Sequence, residues 1–172
     1  MAEFDVEDVA PADGFTARLS SGTSLHLIAC DGTTGRFFLV GADAPSRPVL
    51  YANSEGCVGL VGPSLAVALA TLVALPNGYD CQFSPGGGDL GQMRRAHAYL
   101  RTGCGKDILN LDETQAFIVD ELELDLPADP VLTLWQSVHA TDPTQPFVDE
   151  GDGGLPWGSL LREWTIERLI RH

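Results

Sequence analysis

Lysine is all but missing from this sequence. Lys106 is the one lysine among 172 residues, and from Asp107 to Leu161 there is no arginine either. That base-free stretch of 55 residues holds twelve of the 24 carboxylates. A field of this sign repels nucleic acid and anionic membranes and attracts cationic surfaces, so the first two are excluded as partners. The remainder is close to balance: residues 1–13 carry five acids and no base, residues 14–106 sum to +2, and residues 162–172 to +1. The net charge of -14 is therefore regional.

Long apolar runs are also scarce. The longest, Leu65 to Leu75, is about half of the ~20 residues that cross a bilayer. The opening Met1-Ala-Glu-Phe-Asp5 places acids where a secretory signal needs a basic start and an apolar core, so a cytoplasmic protein is expected. Cysteines are few and scattered. Cys30, Cys57, Cys81 and Cys104 lie 23 to 27 residues apart, with no Cys-x-x-Cys and no Cys-His pair at metal spacing. Buried thiols are the expectation, a disulfide the alternative. With 44% hydrophobic and 20% charged residues, the chain is not a disordered acidic polymer. Its length suits a single α+β domain over residues 14–172, behind a flexible acidic lead-in at 1–13.

Four β-rich runs open the predicted domain. Ser24–Cys30 and Arg36–Gly41 flank Asp31-Gly-Thr-Thr-Gly35, a turn whose glycines are expected to supply positive φ. Pro48–Ala52 and Gly56–Val61 follow around Asn53-Ser-Glu55, giving an antiparallel meander of about four strands. About five helices come after it. Ser64 caps Leu65–Leu75, which has hardly any polar side and is expected to lie centrally in the core, the alternative being a covering partner. Asp89 caps a helix to Arg101 with Leu90, Met93, His97 and Leu100 inside and Arg94, Arg95 and Arg101 outside. Asp112 and Gln115 have capping-box spacing for a helix over 113–124, while acids alternating with leucines over 121–126 also suit a strand. Asp129-Pro130 starts the next helix, through Leu132, Leu134, Trp135, Val138 and His139. Residues 140–158 read as a loop and Ser159–Arg171 as a last helix, docked at home or elsewhere. Phe117, Leu122, Leu132, Leu134 and Trp135 are expected to face inward, leaving the acids outside.

No catalytic residue is assigned, and no cofactor or metal. The triple glycine before Asp89 sets a carboxylate where a phosphate would sit, and Gly103-Cys-Gly-Lys106 lacks the first Gly and the Ser/Thr of a phosphate loop. Asp142, Asp149, Glu150 and Asp152 lack calcium-loop spacing, because Gly151 and Gly153 fall on ligand positions. His26, His97 and His139 fall on apolar stripes, and no nucleophile-elbow motif occurs beside Cys57 or Cys81. Neighbouring acids such as Glu121 with Glu123 are not the separated pair of a glycosidase.

The strand pair Ile28-Ala-Cys-Asp-Gly32 to Phe37-Phe-Leu-Val40, the strand Pro48-Val-Leu-Tyr51, and Gly59-Leu-Val61 before a Ser-capped Leu/Ala helix resemble the SUKH superfamily over residues 24–75. The resemblance implies an α+β domain without catalysis that, in bacterial members, neutralises a toxin by binding it. It assigns no site residue. The expected function is therefore a non-catalytic protein-binding domain of immunity or regulatory type that covers a basic surface. The candidate partner-binding residues are Asp112, Glu113, Asp120, Glu121, Glu123, Asp125, Asp149, Glu150 and Asp152, with Trp135, Phe147 and Trp157 as apolar anchors or core. The alternatives are a small hydrolase-like enzyme built from scattered His, Cys and Asp, or a self-associating protein in which Arg94, Arg95, Arg101 and Lys106 meet the acidic half of a second copy. Oligomeric state is open.

Overall fold

The computed structural model describes residues 17–42, 46–76, 78, 88–103, 110–141, 147–149 and 155–161. Within them the protein is α+β. Its strands are β1 (Ala17–Leu19), β2 (Leu25–Cys30), β3 (Arg36–Val40), β4 (Val49–Ala52), β5 (Cys57–Gly62), β6 (Phe147–Asp149) and β7 (Gly158–Ser159). The helices are α1 (Leu65–Ala74), α2 (Leu90–Gly103), α3 (Leu111–Glu121) and α4 (Pro130–His139). The main sheet has the order β2-β3-β4-β5-β7, and β1 pairs with β6 in a separate ribbon.

Period-2 alternation gives the sheet two buried faces. Ala29, Phe37, Val49, Tyr51, Cys57 and Val61 face the helices, where Ala68, Met93, Val131, Leu134, Val138 and Leu160 complete one cluster. Phe38, Leu50, Ala52 and Val58 face the other way, against Leu19 and Phe147 of the ribbon with Trp157 beside them. A sheet covered on both faces explains why every residue of β4 is buried and why the strand reads as Val-Leu-Tyr-Ala without alternation.

Both predicted turns between strands form, the first by a different device. Asp31 closes it: Oδ1 accepts from Thr33 N at 2.8 Å, Thr33 Oγ1 at 2.8 Å and Gly35 N at 2.8 Å, while Oδ2 accepts from Tyr51 Oη at 2.7 Å. Positive φ falls on Thr34, at 68°, and not on either glycine. Gly35 is required for space, since a Cβ there would overlap the Tyr51 hydroxyl and come within 2.5 Å of Asp31 Oδ2. In the second turn Asn53 Oδ1 accepts from Glu55 N at 3.0 Å and Cys57 N at 2.9 Å, and Gly56 takes φ 73°.

The sheet exceeds the expected four-stranded meander by one strand, β7, which runs parallel to β5 with Cys57 opposite Gly158. Ser159 thus belongs to a strand and not to a helix start. Leu160 and Leu161 turn inward and are buried, because Leu160 N donates to Val58 O at 3.0 Å and holds the chain against β5. Residues 162–171 of the expected last helix lie outside the described residues, as do the lead-in at 1–13, Cys81, Cys104 and Lys106. The predicted loop at 140–158 contains β6, whose Phe147 is 2% exposed. Beyond β7 the edge of β5 is closed by Thr141, whose Oγ1 accepts from Leu60 N at 2.9 Å.

Four helices are present among the described residues. Ser64 caps α1 through Val67 N at 3.3 Å, as its sequence indicates. The end of β5 meets this first turn so closely that a Cβ on Gly62 would lie 2.6 Å from Ala68 N. α1 is not wholly central: Ala68, Ala70 and Thr71 are buried, whereas Leu65 is 42% exposed. Asp89 caps α2 through Gln92 N at 2.7 Å, and Met93 is its fully buried residue. Asp129 caps α4 through Leu132 N at 3.0 Å, with Pro130 at the first helical position. No helix among the described residues is long and apolar enough to cross a membrane.

Candidate partner-binding surface

α3 begins two residues before the predicted start. Its N-cap is Asn110, in the left-handed region at φ 61°, and makes no side-chain cap bond. The expected capping box of Asp112 and Gln115 is absent because both side chains are engaged elsewhere. Arg101 Nη2 donates to Asp112 Oδ1 at 2.8 Å, Arg101 Nη1 donates to Gln115 Oε1 at 3.2 Å, and Gln115 Nε2 donates to Val73 O of α1. These contacts fix the rotation of α3. Leu111 is buried, Thr114, Gln115, Ile118 and Val119 are half-buried, and Asp112, Glu113, Ala116, Phe117, Asp120 and Glu121 face solvent.

The helix ends at a Schellman motif. Leu124 N donates to Val119 O at 3.0 Å and Glu123 N to Asp120 O at 3.3 Å. Glu123 occupies the position that glycine usually fills, at φ 48°. The expected helix forms but ends at Glu121 and not at residue 124, because this left-handed residue stops it, and among the described residues the alternative strand over 121–126 is absent.

Expectation and structure part over the apolar residues. Core spacing predicts Phe117 and Leu122 inward, yet they are 64% and 53% exposed. Leu111, Gln115 and Ile118 form the inner stripe, which puts Phe117 on the face of Glu113 and Glu121. Of the three aromatics read as anchors or core, Phe147 is core, and Trp135 and Trp157 are half-buried. Phe147 is buried in the ribbon cluster, with Trp157 edge-on to it at 5.0 Å between ring centroids. Trp135 is half-buried, and its Nε1 donates to Gly88 O at 2.7 Å. The apolar spacing alone does not give the helix rotation that turns Phe117 outward.

The candidate acids divide into two regions. Asp112, Glu113, Asp120, Glu121, Glu123 and Asp125 are exposed on α3 and the segment after it, in the helical layer. Asp149 belongs to β6, opposite Ala17 of β1, on the other side of the sheet. Glu150 and Asp152 lie outside the described residues, as does Asp142. Among the described residues Asp112 is ion-paired with Arg101, and Glu113, Asp120, Glu121, Glu123 and Asp125 have no ion pair.

Two arginines of the basic cluster are already used. Arg94 pairs with Asp129 through Nε at 2.9 Å and through Nη2, tying α2 to the start of α4. Burial pushes the Asp129 carboxyl up, but bonds from Leu132 N and Arg94, the Arg94 charge and Val131 N outweigh it, so the group titrates below the ordinary carboxylate range. His97, half-buried on the same side of α2, is held below the usual imidazole range by burial and by the Arg101 charge, with Asp129 opposing. His26 and His139 are exposed, and the His139 ring stacks on Trp135 at 3.9 Å. Among the described residues no three of His, Cys, Asp and Glu gather into a group able to hold a metal ion. No family model, curated protein or solved structure matches the chain.

Proposed function

We propose that this protein is a non-catalytic protein-binding domain whose acidic helical surface covers a basic surface of a partner, in the manner of an immunity or regulatory protein of the SUKH type. One observation carries the reading: five exposed carboxylates from Glu113 to Asp125 lack ion pairs among the described residues, while Arg94 and Arg101, close in sequence, are engaged by Asp129 and Asp112. Charge left unsatisfied by its own fold acts on encounter rate and partner choice. Self-association through the basic cluster loses support for the same reason, since two of its four bases are occupied internally.

Affinity capture at 50 mM and 500 mM salt, with the wild type beside a Glu121→Lys/Glu123→Lys/Asp125→Lys variant, tests this. A partner retained at low salt, released at high salt and missed by the variant is expected, with affinity falling at least tenfold across that range, about 1.4 kcal/mol. Equal retention by both proteins at both salts would end the electrostatic reading.

A further inference from the structure

The exposed face of α3 is not purely acidic. Phe117, 64% exposed, stands one turn from Glu113 on one side and one turn from Glu121 on the other, with Asp120 and the half-buried Thr114 at the two remaining neighbouring positions. Three of its four neighbours on the helix are carboxylates and none is an apolar side chain. Its burial by a partner would remove a large apolar surface from water, and aromatic side chains dominate interface energetics.

Resting on the protein-binding reading above, we infer that Phe117 is the apolar anchor of this surface, and that the segment it receives is a cationic amphipathic helix of a partner protein. The charge pattern selects that occupant. A helix with Lys or Arg one turn before and after an apolar residue repeats the spacing of Glu113, Phe117 and Glu121, so ion pairs and the apolar contact form in one register. Oligocations without apolar residues meet only the charges. Tyr99 of α2, 74% exposed, provides an internal comparison: it is as open as Phe117, but its neighbour one turn back is Arg95. A cationic helix is repelled there.

Fluorescence anisotropy with two labelled probes tests the inference: a helical Leu/Lys peptide, and an oligolysine of equal charge and length. The Leu/Lys peptide is expected to bind the wild type about tenfold more tightly than oligolysine. Phe117→Ser should bring the two affinities together without changing their dependence on salt, Phe117→Leu should keep most of the difference, and Tyr99→Ser should leave it intact. Since both aromatics are exposed, equal urea midpoints for the variants establish that folding is not the cause. If Phe117→Ser binds both peptides as the wild type does, the anchor is wrong while the acidic-surface reading stands. If Tyr99→Ser abolishes the difference, the anchor lies on α2 and the inference fails. Binding of neither peptide at low salt overturns both readings.

Discussion

Thr34 holds a positive φ of 68° that a β-branched residue adopts only when the turn around it demands it. Its neighbour Gly35 has the opposite situation, an ordinary φ but no room for a side chain between Tyr51 and Asp31. Substitutions at the two positions should therefore have opposite signs. Thr34→Gly relieves the backbone and is expected to raise unfolding stability by up to about 1 kcal/mol. Gly35→Ala forces the Tyr51 hydroxyl from the Asp31 carboxylate and is expected to lower it by about 3 kcal/mol, from overpacking and a disrupted buried hydrogen bond. Urea midpoints of the two single variants check both signs in one experiment.

Among the elements, the α2–α4 contact holds two groups with shifted titration, His97 and Asp129. The folded-state value of His97 lies below the ordinary 6.5, so as pH falls the unfolded chain takes up this proton first. The His97 contribution is whole above about 6.5 and declines as pH drops through the lower folded value. Asp129, also depressed, adds a second loss of the same sign below its ordinary 3.8. Urea midpoints should fall between pH 7 and 5, and a His97→Gln variant should flatten that part of the profile. An unchanged slope in the variant would remove His97 as the cause. Of the elements themselves, β2 to β5, α1, α2 and α4 were legible because each has a strong local signal: an apolar run between turns, or a Ser or Asp cap. β1, β6 and β7 were not, since strands of two or three residues have no periodicity and exist through pairing with distant chain. α3 lay between these cases. Its presence follows from length and bracketing, but its rotation depends on contacts with other elements, Arg101 of α2 and Val73 of α1. The acids of the candidate surface are readable from composition, whereas core spacing points Phe117 to the wrong side.

At the scale of the molecule, the net charge of -14 and the proposed binding respond to salt in opposite directions. Screening relieves self-repulsion within the fold, so the thermal midpoint of the protein alone should rise between 20 mM and 300 mM salt, while association with a cationic partner weakens over the same range. Differential scanning measurements at the two concentrations check the first half, and a midpoint that falls would show that attractive pairs such as Arg94 with Asp129 outweigh the repulsion. The topology carries a different consequence, in time. β5 reaches its parallel neighbour only when Gly158 meets Cys57, 101 residues later, and β1 waits for Asp149 to meet Ala17. At about 5–20 residues per second, a ribosome needs roughly 5–20 s to cover the first interval. For that time the nascent chain carries the four-stranded meander with β5 lacking its β7 neighbour and Phe38, Leu50 and Val58 without their β6 cover. Exposed edges and apolar faces of that kind are what chaperones bind and what aggregation begins from. Until Gly158 has been made, the β5 edge and this apolar face are therefore open to such contacts.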